Sequence, residues 1–100
     1  MSEQQPYTVY ALESESSGML YIGFTEDVTR RLREHNAGKS KFTKGYRPWK
    51  LVYTEVVFGR KEARNREKFL KTSSGKKWLK EILKDGPIVQ GIPASSADRE

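Results

Sequence analysis

Two short apolar runs, residues 7–12 and 19–24, flank the polar stretch Ser14-Glu15-Ser16-Ser17-Gly18, and no other feature restricts the fold as much. Aromatic and β-branched residues suit strands, and serine and glycine suit turns. Two such runs across a short Gly-containing loop read as an antiparallel hairpin. Its two strands have an apolar face to cover, so helices must follow.

They do. A helix begins after Phe24, with Thr25 as the expected N-cap and Glu26 and Asp27 in the first turn, where the helix dipole favours acids. Gly38 fits just past its end. Residues 37–48 form a basic loop closed by Pro48. Residues 49–58, with Leu51, Tyr53, Val56 and Val57, read as a third strand broken by Gly59. Residues 60–71 form a second helix, and Ser73-Ser74-Gly75 interrupts it. Residues 76–84 form a third, with Trp78, Leu79, Ile82 and Leu83 facing the core, and Asp85-Gly86-Pro87 ends it. The order β-β-α-β-α-α specifies an α+β architecture, a small three-stranded antiparallel sheet flanked by helices. One domain over residues 6–85 is expected, with an N-terminal tail at 1–5 and a flexible C-terminal tail at 86–100.

The chain of 100 residues has no cysteine, which excludes disulfides and thiolate metal sites and suits a reducing, cytoplasmic setting. No apolar run approaches the roughly 20 residues of a membrane helix, and the N-terminus does not read as a secretory signal. The net charge is +6, from 19 Lys and Arg against 13 Asp and Glu. All of the basic residues except Arg99 fall in two blocks. Residues 28–50 hold eight basic and one acidic residue, and residues 60–84 hold ten and three. Such blocks attract polyanions without reading sequence; they serve equally as solvated surface. Within the first block, Lys39, Lys41, Lys44 and Arg47 alternate with Phe42, Tyr46 and Trp49, a composition that suits phosphate tracking with base stacking.

Polar residues fall where a core should be. The first helix, read at i, i+3, i+4 and i+7 from Val28, gives Arg31, Leu32 and His35. An arginine can snorkel its charge to water from such a position, and a histidine can sit in a frayed last turn. In the second helix Glu67 stands between Ala63 and Leu70 on the inward side. A buried unpaired carboxylate costs several kcal/mol or takes up a proton. It is therefore expected either to pair with a cation such as Arg31 or to hold a metal. Lys61, Arg64, Lys68 and Lys71 are expected to point elsewhere.

These positions together resemble the GIY-YIG nuclease family, in its short stand-alone bacterial form. The second signature tripeptide is intact as Tyr21-Ile22-Gly23. Thr8-Val9-Tyr10 stands for the first and keeps its tyrosine. Arg31 and His35 match the family's R-x-x-x-H helix, and Glu62-Ala63-Arg64-Asn65-Arg66-Glu67 matches its E-A-x-x-x-E. Segments 48–53 and 76–79 also resemble short members. Two features depart from the pattern: the first glycine is Thr8, and the third helix has no asparagine.

The resemblance implies a metal-dependent endonuclease that hydrolyses DNA phosphodiester bonds, structure-selective or weakly sequence-specific, in repair or recombination. It implies that Glu67 holds Mg²⁺ or Mn²⁺, that Arg31 stabilises charge on the phosphate, and that Tyr10 accepts a proton from the attacking water. Tyr21 and His35 would orient water or support the phosphate. Tyr7 and Tyr53 are better read as core aromatics. The partner would be DNA, branched or single-stranded, with no membrane. Two other functions use the same fold: a non-catalytic nucleic-acid-binding module, and a subunit active only with a protein partner.

Overall fold

The structure, a computed structural model, describes residues 5–89. Strand β1 spans Pro6–Ser14 and β2 spans Leu20–Thr25; helix α1 spans Val28–Asn36, and the short helix α2 spans Lys41–Lys44. Strand β3 spans Trp49–Phe58, α3 spans Arg60–Lys71 and α4 spans Ser73–Ile82, followed by a single 3₁₀ turn at Leu83–Asp85. The sheet is antiparallel throughout, in the order β2-β1-β3. The α+β reading of the sequence holds, with α2 added inside what reads as a loop.

β1 is central, and its alternation builds two cores. Tyr7, Val9 and Ala11 join Ile22, Val52 and Tyr53 beneath Ala63, Leu70 and Leu79 of α3 and α4. Tyr10 and Leu12 pack with Val28 and Trp49 on the side of α1. A strand covered on both faces carries apolar residues at nearly every position, and β1 does. A register irregularity between Ala11 and Leu12 lies in its pairing with β3.

Local differences from the sequence reading have physical causes. Asp27, not Thr25, caps α1: its carboxylate accepts from Arg30 N at 3.0 Å. The Thr25 hydroxyl instead accepts from Asp27 N at 3.1 Å, fixing the turn that leads in. The last helix begins at Ser73 rather than 76, capped by the Thr72 hydroxyl, which accepts from Gly75 N. Gly75 is required there by close approach to α3, since a Cβ would stand 2.0 Å from the Phe69 carbonyl oxygen. Trp78 does not enter the core. It is 39% exposed, set edge-on to Tyr53 with the Arg66 guanidinium over its ring.

The segment after the 3₁₀ turn is docked at Ile88. Ile88 forms a parallel bridge with Tyr53, donating to Val52 O and accepting from Thr54 N. This bridge falls within the tail expected at 86–100, of which 90–100, like 1–4, lie outside the described residues. Among the described residues no helix is long and apolar enough to cross a membrane.

Candidate active site

Tyr10 lies at the middle of the central strand, 2% exposed, opposite Gly23 of β2. Its hydroxyl is 3.2 Å from His35 Nε2. His35 has no solvent exposure, and its Nδ1 is 2.9 Å from the Thr43 hydroxyl, itself buried on α2. Both ring nitrogens are thus engaged, which fixes the imidazole's orientation. The Thr43 hydroxyl also faces Ser40 O at 3.5 Å. The tautomer that suits this order has Nδ1–H donating to Thr43 and leaves Nε2 to accept from the phenol.

Burial pushes the Tyr10 phenol well above the ordinary tyrosine range. The neighbouring Tyr21 adds to this, and the Arg31 guanidinium opposes it. His35 is pushed down to about 4 by burial and by Arg31, with Glu34 opposing. At neutral pH the pair is a neutral phenol on a neutral imidazole.

Tyr21 sits beside them, its ring 6.4 Å from that of Tyr10 and 4.9 Å from that of His35. Unlike Tyr10 it is half-buried. Arg31, a third exposed, donates from Nη1 to Glu34 Oε1 at 2.9 Å. It stands near enough to act electrostatically on both tyrosines. Arg31 is therefore not the cation that pairs with Glu67.

Glu67 belongs to α3, which packs against β1 and β2. Its charge is felt at Tyr10. Its side chain is 20% exposed, and Oε2 pairs with Lys71 Nζ at 3.1 Å. Lys71, expected to point away, is thus the cation on this carboxylate, one helical turn along. Among the described residues no group of three or more His, Cys, Asp or Glu is placed to hold a metal. Glu67 stands as a lone carboxylate, a donor set that suits a hard cation keeping most of its waters.

The basic positions Lys39, Lys41, Lys44 and Arg47 are all exposed. The Arg47 side chain folds back, with Nε donating to Lys44 O at 2.8 Å. The interleaved aromatics divide. Trp49 is buried and donates from Nε1 to Thr43 O. Tyr46 is half-buried, and Phe42 is exposed.

Two structural residues escaped the sequence reading. Thr43 is the buried partner of His35. Asn36 joins α1 to β3, its side-chain amide donating to Trp49 O and accepting from Trp49 N at 2.7 Å. Thr43 belongs to no periodic pattern, whereas Asn36 falls at i+8 from Val28, on the inward stripe of α1.

The profile of the GIY-YIG catalytic domain matches residues 6–80. A UPF0213 protein of Streptococcus agalactiae serotype V is 45% identical over 67 residues, which cover 66% of this chain and 75% of that protein. One from Staphylococcus haemolyticus is 43% identical over 75 residues, covering 74% and 90%. A solution NMR structure of a UPF0213 protein from Bacillus halodurans is 35% identical, with a TM-score of 0.48, covering 77% of this chain and 84% of that one. A profile that runs from the first strand into the last helix takes in every residue described around Tyr10, and the chain belongs to the GIY-YIG family of nuclease-type catalytic domains.

Proposed function

We propose that the chain is a metal-dependent DNA endonuclease of low sequence specificity, and that Tyr10, Tyr21, Arg31, His35 and Glu67 form its active site. The observation that carries this reading is the convergence on one phenol. Tyr10 is bonded to His35 on one side and lies within the influence of Arg31, Tyr21 and Glu67. The basic residues Lys39, Lys41, Lys44 and Arg47 would hold the DNA backbone, giving affinity without sequence reading.

Hydrolysis of a phosphodiester needs a proton taken from the attacking water and charge stabilised on the phosphate oxygens. Tyr10 would accept the proton of water while passing its own to His35 Nε2, so no free phenolate need form in a buried place. His35 thus acts through Tyr10 rather than on water directly, since it has no exposure. Tyr21, half-buried, would orient the water. Arg31 would fork onto a phosphate oxygen as charge grows there, exchanging its bond to Glu34 for one to substrate. Glu67 would hold Mg²⁺ or Mn²⁺, which when bound supplies Lewis-acid stabilisation at the phosphate.

One observation favours a second reading, a nucleic-acid-binding module without cleavage. The Glu67 carboxylate already has a cation in Lys71. A panel of labelled DNAs, single-stranded, duplex, nicked and branched, incubated with Mg²⁺ or Mn²⁺, separates the two. Cleavage by the wild-type chain and none by Glu67→Ala supports the nuclease; binding without cleavage across the panel supports the module.

A further inference from the structure

Beside Tyr21 lies a groove of about 430 Å³ lined by Met19, Tyr21, Phe42, Lys71 and Lys76 among others. That size is within the roughly 300–1,000 Å³ of sites that take small molecules. Its walls come from four elements. Phe42 is on α2, Tyr21 on β2, Lys71 at the end of α3 and Lys76 on α4.

Phe42 is 56% exposed, yet its ring is fixed by two others. Tyr21 lies 6.1 Å away, tilted by 34°, and Tyr46 lies 5.7 Å away. A single exposed apolar side chain needs no special account. This one differs by its setting: a ring held by two aromatics, flanked on its own helix by the exposed Lys41 and Lys44. It shares the groove with Lys76 and with Lys71, whose ammonium also pairs with Glu67. An aromatic face within a cationic groove is the combination that binds single-stranded nucleic acid, where bases stack and ammoniums follow phosphates. Trp49 and Tyr46, which share the basic segment, lack this access, so the stacking function falls to Phe42.

We propose that this groove receives one unpaired nucleotide of single-stranded DNA, its base on Phe42 and its phosphate between Lys71 and Lys76. The proposal rests on the nuclease reading only in placing that nucleotide next to the scissile bond. The occupant is unpaired because a paired base has both faces covered by its neighbours. Bringing it onto Phe42 from a duplex costs a few kcal/mol of unstacking, whereas a single-stranded segment incurs little of this. Ring stacking does not distinguish one base from another, which fits a surface with no sequence-reading helix. The preferred substrate is therefore DNA with an unpaired stretch at the cleavage point.

The test is binding by fluorescence anisotropy in EDTA, so that no cleavage intervenes. The probes are a short mixed-sequence oligonucleotide, its blunt duplex and the same sequence as RNA. Phe42→Ala and Phe42→Leu should weaken single-stranded DNA binding by roughly 5- to 150-fold, the usual worth of one stacked base, and leave duplex binding unchanged. Phe42→Trp should retain wild-type affinity. Lys76→Ala should weaken single-stranded binding and lower its salt slope by about one. Equal losses on single strand and duplex, wild-type binding by Phe42→Leu, or tighter binding of RNA than DNA would each overturn the proposal. Phe42 is exposed, so these variants should fold, and circular dichroism checks that they do. Cleavage with Mg²⁺ is scored separately. A selective loss in the Phe42 variants with no cleavage by wild type keeps the groove and removes the nuclease. Cleavage by wild type with unaltered binding in the variants does the reverse.

Discussion

Tyr10 and Gly23 face each other across the β1–β2 ladder so closely that a Cβ on residue 23 would lie 2.7 Å from the tyrosine hydroxyl and 2.9 Å from Cζ. The glycine of the Tyr21-Ile22-Gly23 tripeptide is thus the space in which the ring of the other tripeptide's tyrosine lies. The two signature segments are one structural unit, joined at this contact.

Gly23→Ala should therefore displace the Tyr10 ring and break its bond to His35. Overpacking of this kind costs about 1–3 kcal/mol. Urea unfolding should show that loss. Under the nuclease reading, turnover should fall by more than about tenfold, because a shift of about 1 Å is enough for a large catalytic effect. An alanine variant as stable as wild type would mean that the strand yields and the contact is not tight.

The buried His35 makes stability depend on pH. Its folded value is held down to about 4 by burial and by Arg31, with Glu34 opposing, below the ordinary 6.5 of an unfolded chain. Between those values the unfolded chain binds a proton that the folded one does not, so stability falls as pH falls through this window. It is fully present above about 6.5 and lost progressively toward 4, by on the order of 3 kcal/mol at most. Urea melts from pH 4 to 8 on wild type and His35→Gln test this. The variant should lose the slope between pH 6.5 and 4; an unchanged slope would assign it to other groups.

Lys71 competes with any divalent cation for the Glu67 carboxylate. Glu67→Gln should abolish cleavage and Mn²⁺ binding while sparing the fold and most DNA binding, because the amide keeps the shape without the charge. Its stability should change by less than about 1 kcal/mol, the range of a partly exposed ion pair. Lys71→Met should act in the opposite sense on the metal. Freed of its ammonium, Glu67 should bind Mn²⁺ about 2- to 5-fold more tightly, the same pair energy read as affinity. Calorimetric Mn²⁺ titration measures both. Equal Mn²⁺ affinity in wild type and Glu67→Gln would remove Glu67 from the metal site.

Much of this arrangement is legible in the sequence, and the limits are instructive. The hairpin, the third strand and the three long helices follow from apolar spacing, because burial on a sheet imposes it. His35 and Glu67 stand out as polar residues on apolar faces, and both are indeed half-buried or deeper. The identity of their partners is less legible. Lys71 reaches Glu67 because residues one turn apart meet on a helix, but Lys71 sits equally well in solvent by pattern. Thr43 meets His35 only because the basic loop folds into α2, and four residues carry no period. Trp78 reads as core by composition, yet Tyr53 and the Arg66 guanidinium cover it only in part and leave it 39% exposed. Asp27 and Thr25 are both good caps two residues apart, and only the backbone decides between them.

The sharpest separation of nuclease from binder comes from Tyr10 and Arg31. Tyr10→Phe removes one hydroxyl from a packed ring. The His35 nitrogen loses a neutral hydrogen-bond partner, a cost of about 1–3 kcal/mol in stability for a buried group left unsatisfied. Single-turnover cleavage should fall by roughly 10²–10⁴, the usual worth of positioned proton transfer, while DNA binding changes little. Arg31→Lys keeps the charge but not the planar fork; it should cut turnover by more than about tenfold, again with little effect on binding. In the double variant the losses should combine less than additively, because both residues serve one transition state. Cleavage and binding titrations on wild type, both singles and the double give the full cycle. If Tyr10→Phe cleaves as fast as wild type, proton transfer does not pass through the Tyr10–His35 pair, and the half-buried Tyr21 becomes the group to test.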